Sequence, residues 1–232
     1  MGIFHKRISK SIGQGVLLTL LTALLVSFVL INDKTTVVCV GDSITFGAGV
    51  YKTRDKEAYP VYLQELLGND YKVINCGRSG TCARHASNNP YVNCEQYLTS
   101  KAMKGDCYII MLGANDTKLY NWDAAGYEED LEALVQEYID IAGKENVYLL
   151  KPMKAYRQKR TGEIIYGIND DTIYNEVGPI VGKVAKKLDV KCIDMYNFSI
   201  NHPEYYKDGV HPNAIGNEKM AKYIYDSIWA RE

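Results

Sequence analysis

Histidine, paired cysteines and excess charge are all scarce in this sequence. The 232 residues include four histidines, and 27 basic side chains nearly balance 28 acidic ones, for a net charge of −1. A balanced charge excludes a broad electrostatic footprint for nucleic acid, so no nucleic-acid partner is expected. None of the six cysteines belongs to a Cys-x-x-Cys pair, and their spacing matches no common zinc site. No metal ion is therefore expected.

Nucleotide-binding and repeat signatures are also missing. The glycines at 47 and 49 do not continue into Gly-x-Gly-x-x-Gly, because position 52 is lysine, so no dinucleotide cofactor is expected. The sequence contains no internal repeat of solenoid length and no low-complexity tract. A chain of this length, with 47% apolar residues, can bury the core of one sizeable α/β domain.

The long hydrophobic run of the sequence lies near its N-terminus. Residues 15–31 carry no charge and follow the basic stretch HKRISK at 5–10. The run is at the short end of what spans a bilayer as a helix, about 17–25 residues, and the same pattern is typical of a secretory signal. No Ala-x-Ala-type cleavage site follows it, which favours an uncleaved signal anchor. A cleaved signal peptide and a buried soluble helix are the alternatives.

This N-terminal pattern predicts the domain organisation and the location. Residues 1–34 would form a basic N-terminus with a signal anchor or transmembrane helix, and residues 35–232 would form one folded domain. Because the basic residues precede the apolar run, the positive-inside rule places that domain outside the cytoplasm. The expected location is the cell membrane with a single pass, or secretion if the signal is cleaved. In an exported domain Cys82 and Cys94 could form a disulfide, with two unpaired thiols as the alternative.

From residue 35 onward, short apolar strands alternate with amphipathic helices. The predicted strands are 35–40, 71–76, 106–113, 146–153 and 190–196, and the predicted helices are 59–68, 126–143, 170–189 and 214–230. Gly178-Pro179 weakens the third helix near its middle. This alternation indicates an α/β fold in which helices cover both faces of a five-stranded parallel sheet. In such sheets, reactive groups gather at the carboxyl ends of the strands.

The first strand runs directly into Gly41-Asp42-Ser43, which places a hydroxyl at its carboxyl end. A serine hydroxyl is a poor nucleophile alone and needs a base and a group that orients the base. Of the four histidines, His211 follows an aspartate, Asp208, by three residues. At that spacing a tight turn can bring the carboxylate against the imidazole ring. Turns are rich in Asp and Gly for other reasons, so this motif alone is a weak signal.

Acyl transfer also needs hydrogen-bond donors for the oxyanion that develops on the carbonyl oxygen. Gly77 follows the second strand, where the missing side chain lets a ligand approach its N–H. Asn115 follows the third strand, and its side-chain amide is a donor. Glycine and asparagine are common at strand ends, so the interpretation as ordinary turns is favoured for each motif separately. Asp42 and Asp116 adjoin these motifs and are interpreted as Asx-turn residues that cap their own backbone.

Together the motifs point to one family. Gly-Asp-Ser, a strand-ending glycine, Gly-x-Asn-Asp and Asp-x-x-His occur in this order, each after a predicted strand. In these four blocks, over residues 35 to 230, the chain resembles the SGNH (GDSL-type) hydrolase family, and DGVHPNAIG matches the whole of the last block. The resemblance implies a flavodoxin-like three-layer α/β/α fold. It also implies that Ser43 is the nucleophile and, through its own N–H, the first oxyanion donor. By the same resemblance, Gly77 and Asn115 are the other donors, and His211 is the base oriented by Asp208.

The resemblance implies a serine esterase that acts through an acyl-enzyme and without a cofactor. The family includes carbohydrate acetylesterases, lysophospholipases, thioesterases and lipases. Acetyl esters on carbohydrate are favoured, because 19 tyrosines are many for this length and exposed tyrosines can stack on sugars. Only a short spacer separates the apolar run from the first predicted strand. The site at the far end of that strand is therefore expected to face away from the bilayer, which disfavours a lipid substrate in the same membrane. The alternatives are a lysophospholipase or thioesterase with longer acyl chains, a non-catalytic membrane-tethered glycan-binding module, and an acyltransferase with the same residues.

The segment 154–170 follows the fourth predicted strand and is expected to border the cleft. Its Arg157, Lys159 and Arg160 could bind an anionic glycan, and a solvated basic loop is the alternative. The expected partners are thus a small-molecule or glycan ester and, through the N-terminal helix, a membrane. The sequence does not predict the oligomeric state.

Overall fold

The five predicted strands form one parallel sheet. A computed structural model describes residues 34–230, so the predicted N-terminal helix and signal anchor lie outside the described residues. The strands are β1 (Thr35–Gly41), β2 (Tyr71–Gly77), β3 (Cys107–Met111), β4 (Val147–Lys151) and β5 (Lys191–Asp194). All neighbouring strands are parallel, in the order β2-β1-β3-β4-β5.

Helices of very different lengths connect the strands. They are α1 (Ser43–Phe46), α2 (Arg54–Glu57), α3 (Tyr59–Leu67), α4 (Glu95–Ala102), α5 (Ala124–Ala142), α6 (Asp170–Thr172), α7 (Gly178–Leu188), α8 (Met195–Ser199) and α9 (Ala214–Ile228). Within residues 34–230, none of these helices combines the length and the apolar character that a bilayer crossing requires. The four predicted helices correspond to α3, α5, α6 with α7, and α9.

Alternation of side chains along β1 divides the core into two layers. Val38 and Val40 pack with the apolar residues of α5 and α7, whereas Val37 and Cys39 pack with those of α3 and α9. Because successive side chains of a strand point to opposite faces, a single strand contributes to both layers. The predicted three-layer α/β/α fold with a five-stranded parallel sheet is therefore confirmed.

The predicted helix 170–189 is interrupted by a π-helical segment, Ile173–Val177, between α6 and α7. Pro179 lies in the first turn of α7 and has no N–H, so an unbroken α-helix would lose a hydrogen bond there. The Gly178 N–H instead donates to the Ile173 carbonyl, five residues back. This wider turn carries the chain past the proline.

One other boundary and one helix differ from the predictions for local reasons. The predicted strand 190–196 ends at Asp194, because its carboxylate accepts the Asn197 N–H (2.9 Å) and caps α8. The sequence pattern also misses α4. Ser100 is the one fully buried residue of that helix, so it has no apolar stripe by which to recognise it.

The order of strands fixes where a site can form. The chain leaves β1 for the β2 edge and then returns to β3 on the other side of β1. The carboxyl ends of β1 and β3 are therefore a topological switch point, where an open α/β sheet has its binding crevice. Ser43 follows β1 and Asn115 follows β3 at this crevice.

Candidate active site

Ser43 is the first residue of α1, immediately past β1. The Asp42 carboxylate caps this helix by accepting the Ile44 N–H (2.9 Å). Gly41 permits the tight turn from strand to helix, since an added Cβ would lie 2.8 Å from the Met111 carbonyl oxygen. The Ser43 N–H belongs to the first turn of the helix, where backbone N–H groups have no intrahelical acceptor. The local sequence thus presents both a hydroxyl and a backbone donor at the crevice.

The structure brings Ser43, His211 and Asp208 together. The His211 Nε2 lies 2.9 Å from the Ser43 Oγ, although 168 residues separate them in the sequence. The His211 Nδ1 lies 2.8 Å from the Asp208 Oδ2. The Asp208 Oδ1 accepts two backbone N–H groups, from Val210 (3.0 Å) and His211 (2.7 Å), which closes the turn. Three groups that differ in chemistry are thereby joined in one hydrogen-bonded series.

The hydrogen bonds that Asp208 accepts keep its carboxylate ionised. Burial alone would raise the pKa of Asp208, but the bonds from the His211 ring and from the backbone N–H groups outweigh it and lower the pKa to about 2. An ionised Asp208 accepts the Nδ1 proton of the ring. The His211 Nε2 is then the nitrogen left to accept the Ser43 proton. The His211 side chain is 9% exposed, so water has little access to compete for it.

Asn115 lines a small cavity together with Ser43 and His211. The cavity has a volume of about 200 Å³. The Asn115 Nδ2 is 3.2 Å from the Thr81 carbonyl oxygen and 3.3 Å from the Asp42 Oδ2. Both distances are at the long end for an N–H···O bond, so the amide can exchange one of them for a better acceptor in the cavity.

The structure does not bring Gly77 into this cavity. The Gly77 N–H donates to the Asn75 Oδ1 (2.9 Å), and an added Cβ would lie 2.2 Å from the Phe46 backbone nitrogen. Gly77 is therefore a close-packing position behind α1, and its N–H is not available to an oxyanion. Gly80, three residues later, lines the cavity with a φ of +82°. Within residues 34–230, the structure records no acceptor for the Gly80 N–H.

The end of the predicted strand does not by itself distinguish Gly77 from Gly80 as the glycine that faces the cavity. In NCGRSG, Gly77 is the last residue of β2 and Gly80 lies three residues beyond it, whereas the sequence pattern predicts Gly77 as the donor because it is nearer to the strand end. A turn that requires a positive φ is typical of glycine, but the sequence does not say which of the two adopts it. The structure assigns the packing position to Gly77 and the cavity position to Gly80.

Two buried carboxylates stand beside the site. The interpretation as an Asx turn holds for Asp42, which caps α1. Asp116 instead accepts the backbone N–H groups of Ala83 (3.1 Å) and Arg84 (2.9 Å) and so orders a different loop. Burial raises the pKa of Asp42 to about 6 and that of Asp116 to about 7, although backbone hydrogen bonds lower both.

Tyr166 is a cavity residue for which the sequence carries no signal. Its ring centroid lies 5.1 Å from that of His211, and its hydroxyl is 3.5 Å from the Asp208 Oδ2. Its φ of +64° is unusual for a residue with a side chain. Only the fold of the segment after β4 carries this ring to the His211–Asp208 pair.

Neither a disulfide nor a metal cluster is found in the described part of the chain. All six cysteines are unpaired, including Cys82 and Cys94. Asn121 donates to the buried Cys82 sulfur (3.3 Å). Within residues 34–230, no group of three or more His, Cys, Asp or Glu side chains is arranged to hold a metal ion.

Sequence comparison identifies related proteins. A sequence model of the GDSL-like lipase/acylhydrolase family matches residues 39–219. The chain is 33% identical, over 216 residues, to an acetylxylan esterase from Xylanibacter ruminicola. This match covers 85% of the chain and 44% of that esterase, so the chain spans less than half the length of this relative.

Comparison of folds identifies solved structures of similar shape. A lipase/acylhydrolase from Enterococcus faecalis matches with a TM-score of 0.60 and 25% identity, over 83% of this chain and 94% of that one. A carbohydrate acetylesterase from Sinorhizobium meliloti matches with a TM-score of 0.63 and 22% identity, over 85% and 99% of the respective chains. The second likeness concerns the fold alone.

Proposed function

Because the chain belongs to the GDSL-like lipase/acylhydrolase family, a family of carboxylic ester hydrolases, we propose that it is a serine esterase that removes acetyl groups from carbohydrate. One observation carries this proposal. It is the hydrogen-bonded series from the Ser43 Oγ through the His211 ring to Asp208, at the wall of a small cavity.

The proposed reaction has two halves. The Ser43 Oγ attacks the ester carbonyl carbon while the His211 Nε2, 2.9 Å away, takes the hydroxyl proton. The imidazolium gives that proton to the leaving sugar oxygen, the ester C–O bond breaks, and an acetyl group remains on Ser43. A water molecule, deprotonated by His211, then attacks the acetyl carbon. The bond from that carbon to the Ser43 Oγ breaks, acetate leaves, and the imidazolium returns its proton to the Ser43 Oγ. Asp208 stays ionised and stabilises the imidazolium in both halves.

Three donors are proposed to bind the oxyanion. They are the N–H groups of Ser43 and Gly80 and the side-chain amide of Asn115. The long Asn115 contacts, 3.2 and 3.3 Å, support this role, because little is lost when one of them is exchanged for a charged oxygen. Gly80 takes the role predicted for Gly77, whose N–H is already bonded.

The size of the cavity supports a short acyl group. Its volume of about 200 Å³ is below the range of sites that hold drug-sized ligands, about 300–1,000 Å³. Its apolar lining consists of short or branched side chains such as Ala48, Ile44 and Val210. A long acyl chain would need a longer apolar channel than these residues line. Longer-chain lysophospholipase or thioesterase activity is therefore the less favoured alternative.

The alcohol part of the substrate is proposed from the relative. The esterase from Xylanibacter ruminicola, at 33% identity, acts by its name on acetylxylan. We infer acetylated xylan, or a related acetylated glycan, as the substrate class for this chain. The non-catalytic binding module is not favoured, because a protein without turnover has no need to keep Ser43, His211 and Asp208 in reactive geometry.

The location remains a proposal from the sequence. The basic stretch at 5–10 and the apolar run at 15–31 support a single-pass membrane anchor with residues 35–232 outside the cytoplasm. Fractionation of cells that express the full chain tests this. We expect the esterase in the membrane fraction, where protease added to intact spheroplasts reaches it. A signal peptide that is cleaved would leave a shorter protein in the medium.

A series of p-nitrophenyl esters, from acetyl to palmitoyl, tests the activity of the full chain. We expect hydrolysis that falls steeply beyond butyryl and is abolished by Ser43→Ala. Ser227→Ala, a serine of α9 outside the cavity, is the matched control. A rate that rises toward long chains would move the proposal to lipid or thioester substrates. Turnover that is the same in Ser43→Ala and the unmodified chain would refute the serine mechanism.

A further inference from the structure

A second, larger cavity adjoins the active-site cavity. Its volume is about 870 Å³, and the two cavities share Ile168. The same chain segment forms the wall between them, since Tyr166 lines the smaller cavity and its neighbour Gly167 lines the larger one. Both residues have positive φ, +64° and +69°, so the chain turns sharply and consecutive residues face different cavities. A substrate with its ester carbon at Ser43 has this larger space beside it.

The lining of the larger cavity contains polar groups with unused hydrogen-bonding capacity. Arg157 makes one side-chain bond, to the Gly162 carbonyl oxygen (3.1 Å), which leaves most of its guanidinium N–H groups free. Within residues 34–230, the carboxylates of Glu163 and Asp171 have no recorded hydrogen-bond partner or ion pair. Unpaired donors and acceptors that line one cavity are what sugar hydroxyl groups require.

The charge of the lining argues against an anionic ligand. Two cationic side chains, Lys154 and Arg157, face three anionic ones, Glu163, Asp170 and Asp171, for a net charge of −1. Lys154 is already paired with Asp170 at 2.5 Å. Among the residues that the structure describes, Arg157 is thus the one cation of the lining without a carboxylate partner, and the same lining holds two unpaired carboxylates, Glu163 and Asp171. Lys159 and Arg160, which with Arg157 could bind an anionic glycan by the sequence alone, do not line the cavity.

Size and apolar surface favour a saccharide over a single small group. The volume of about 870 Å³ falls within the range of sites for drug-sized ligands, about 300–1,000 Å³. Trp122 lines one wall, and the neighbouring Leu119 is 97% exposed. The flat ring of Trp122 offers apolar surface to the C–H face of a sugar, while its N–H already donates to the Glu176 carboxylate (3.2 Å).

We propose that this larger cavity, defined by Trp122, Arg157, Glu163 and Asp171, is the binding site for an uncharged saccharide chain whose acetyl ester reaches Ser43 past Tyr166. This inference rests on the proposed function, since it places the alcohol part of the same substrate. The sugar to which the acetyl group is attached lies at the shared wall near Ile168. The following sugars of the chain occupy the larger cavity.

Two variants of the lining and one matched control test the site. Arg157→Ala removes a charge and a donor, and Asp171→Asn removes a charge but keeps the shape. Arg160→Ala removes the same charge from the same loop at a position outside the lining. The readout is kcat/KM of the full chain on acetylated xylotetraose, divided by kcat/KM on p-nitrophenyl acetate, which has no sugar. We expect this ratio to fall about tenfold in each lining variant, the cost of a lost bond to a charged group. It should stay unchanged in Arg160→Ala.

A binding measurement separates this inference from the proposed function. Deacetylated xylotetraose is titrated calorimetrically into Ser43→Ala, and into Ser43→Ala combined with Arg157→Ala or Arg160→Ala. This measurement needs no turnover. We expect binding that weakens with Arg157→Ala alone. If acetyl release depends on Ser43 but neither the ratio nor the titration responds to Arg157→Ala, the saccharide site is refuted and the esterase stands. If xylotetraose binds but no substrate is hydrolysed, the esterase is refuted and the site stands. Tighter binding of a glucuronic-acid-substituted oligosaccharide would overturn the uncharged class.

Discussion

Replacing Asp208 by asparagine tests the orientation of the His211 ring. The Asp208 Oδ1 accepts the backbone N–H groups of Val210 and His211, and the Oδ2 faces the His211 Nδ1 at 2.8 Å. Asparagine keeps the two backbone bonds only if its oxygen occupies the Oδ1 position. Its NH₂ group then faces Nδ1 and donates to it. The ring proton must move to Nε2, where it blocks acceptance of the Ser43 proton.

The expected loss is much larger for activity than for stability. A wrong tautomer of the base costs roughly 10⁴-fold in kcat in Ser-His-Asp enzymes, which corresponds to about 5 kcal/mol of transition-state stabilisation. The folded pKa of Asp208 is lowered from 3.8 to about 2. That shift contributes at most about 2.5 kcal/mol to folding, and less because the side chain is 21% exposed. This contribution is present above about pH 4 and is lost as the pH falls toward the folded pKa.

The assay measures kcat/KM of the full chain on p-nitrophenyl acetate at pH 7.5, together with the melting temperature. We expect Asp208→Asn to stay folded and to lose nearly all activity. Asp226→Asn is the matched control, because this carboxylate sits in an exposed ion pair with Lys222 on α9. If Asp208→Asn retains more than a tenth of the activity, the ring orientation does not depend on Asp208 and the reasoning fails.

Three further predictions concern the oxyanion donors and the buried carboxylates. Asn115→Ala should lower kcat by about 10²–10³-fold with little change in KM; a rise in KM at unchanged kcat would instead assign the amide to substrate binding. Gly77→Ala should lower the melting temperature, because the added Cβ would lie 2.2 Å from the Phe46 nitrogen. It should leave kcat per folded molecule intact, whereas a fall in kcat at unchanged stability would return Gly77 to the oxyanion site. Because burial raises the pKa of Asp42 and Asp116 to about 6 and about 7, the folded state binds more protons than the unfolded state from about pH 4 to 7. The free energy of unfolding contributed by these two groups therefore falls as the pH rises through that window. Urea titrations at pH 5, 6 and 7 measure the free energy of unfolding at each pH. This free energy should fall less steeply with pH in Asp116→Asn than in the unmodified chain, and an equally steep fall would contradict the assignment.

The architecture was predictable because its signals are local. Alternation of short apolar runs with amphipathic helices predicted the parallel sheet, and the bounds of the strands differ from the prediction by a few residues. The errors are local as well. The helix α4 has no apolar stripe, and the Asp194 cap ends β5 before the apolar pattern does. Pro179 marked a weakness in the helix, but the π-helical segment that absorbs it depends on the hydrogen bonds of the folded chain.

The features of the candidate site also separate into those set by neighbouring residues in the sequence and those set by the tertiary structure. The sequence by itself determined that Ser43, Asn115 and a glycine follow strand ends, and that Asp208 and His211 share a turn. Each of these statements concerns residues within a few positions of one another. Only the tertiary structure decided that Gly80, rather than Gly77, faces the cavity, that Asp116 orders the loop at 83–84, and that Tyr166 covers the His211–Asp208 pair. It also decided that Arg157 lines a second cavity while Arg160 does not. These relations join residues from different crossovers of the sheet, and their distances follow from how the helices pack on it, which periodicity along one segment does not encode.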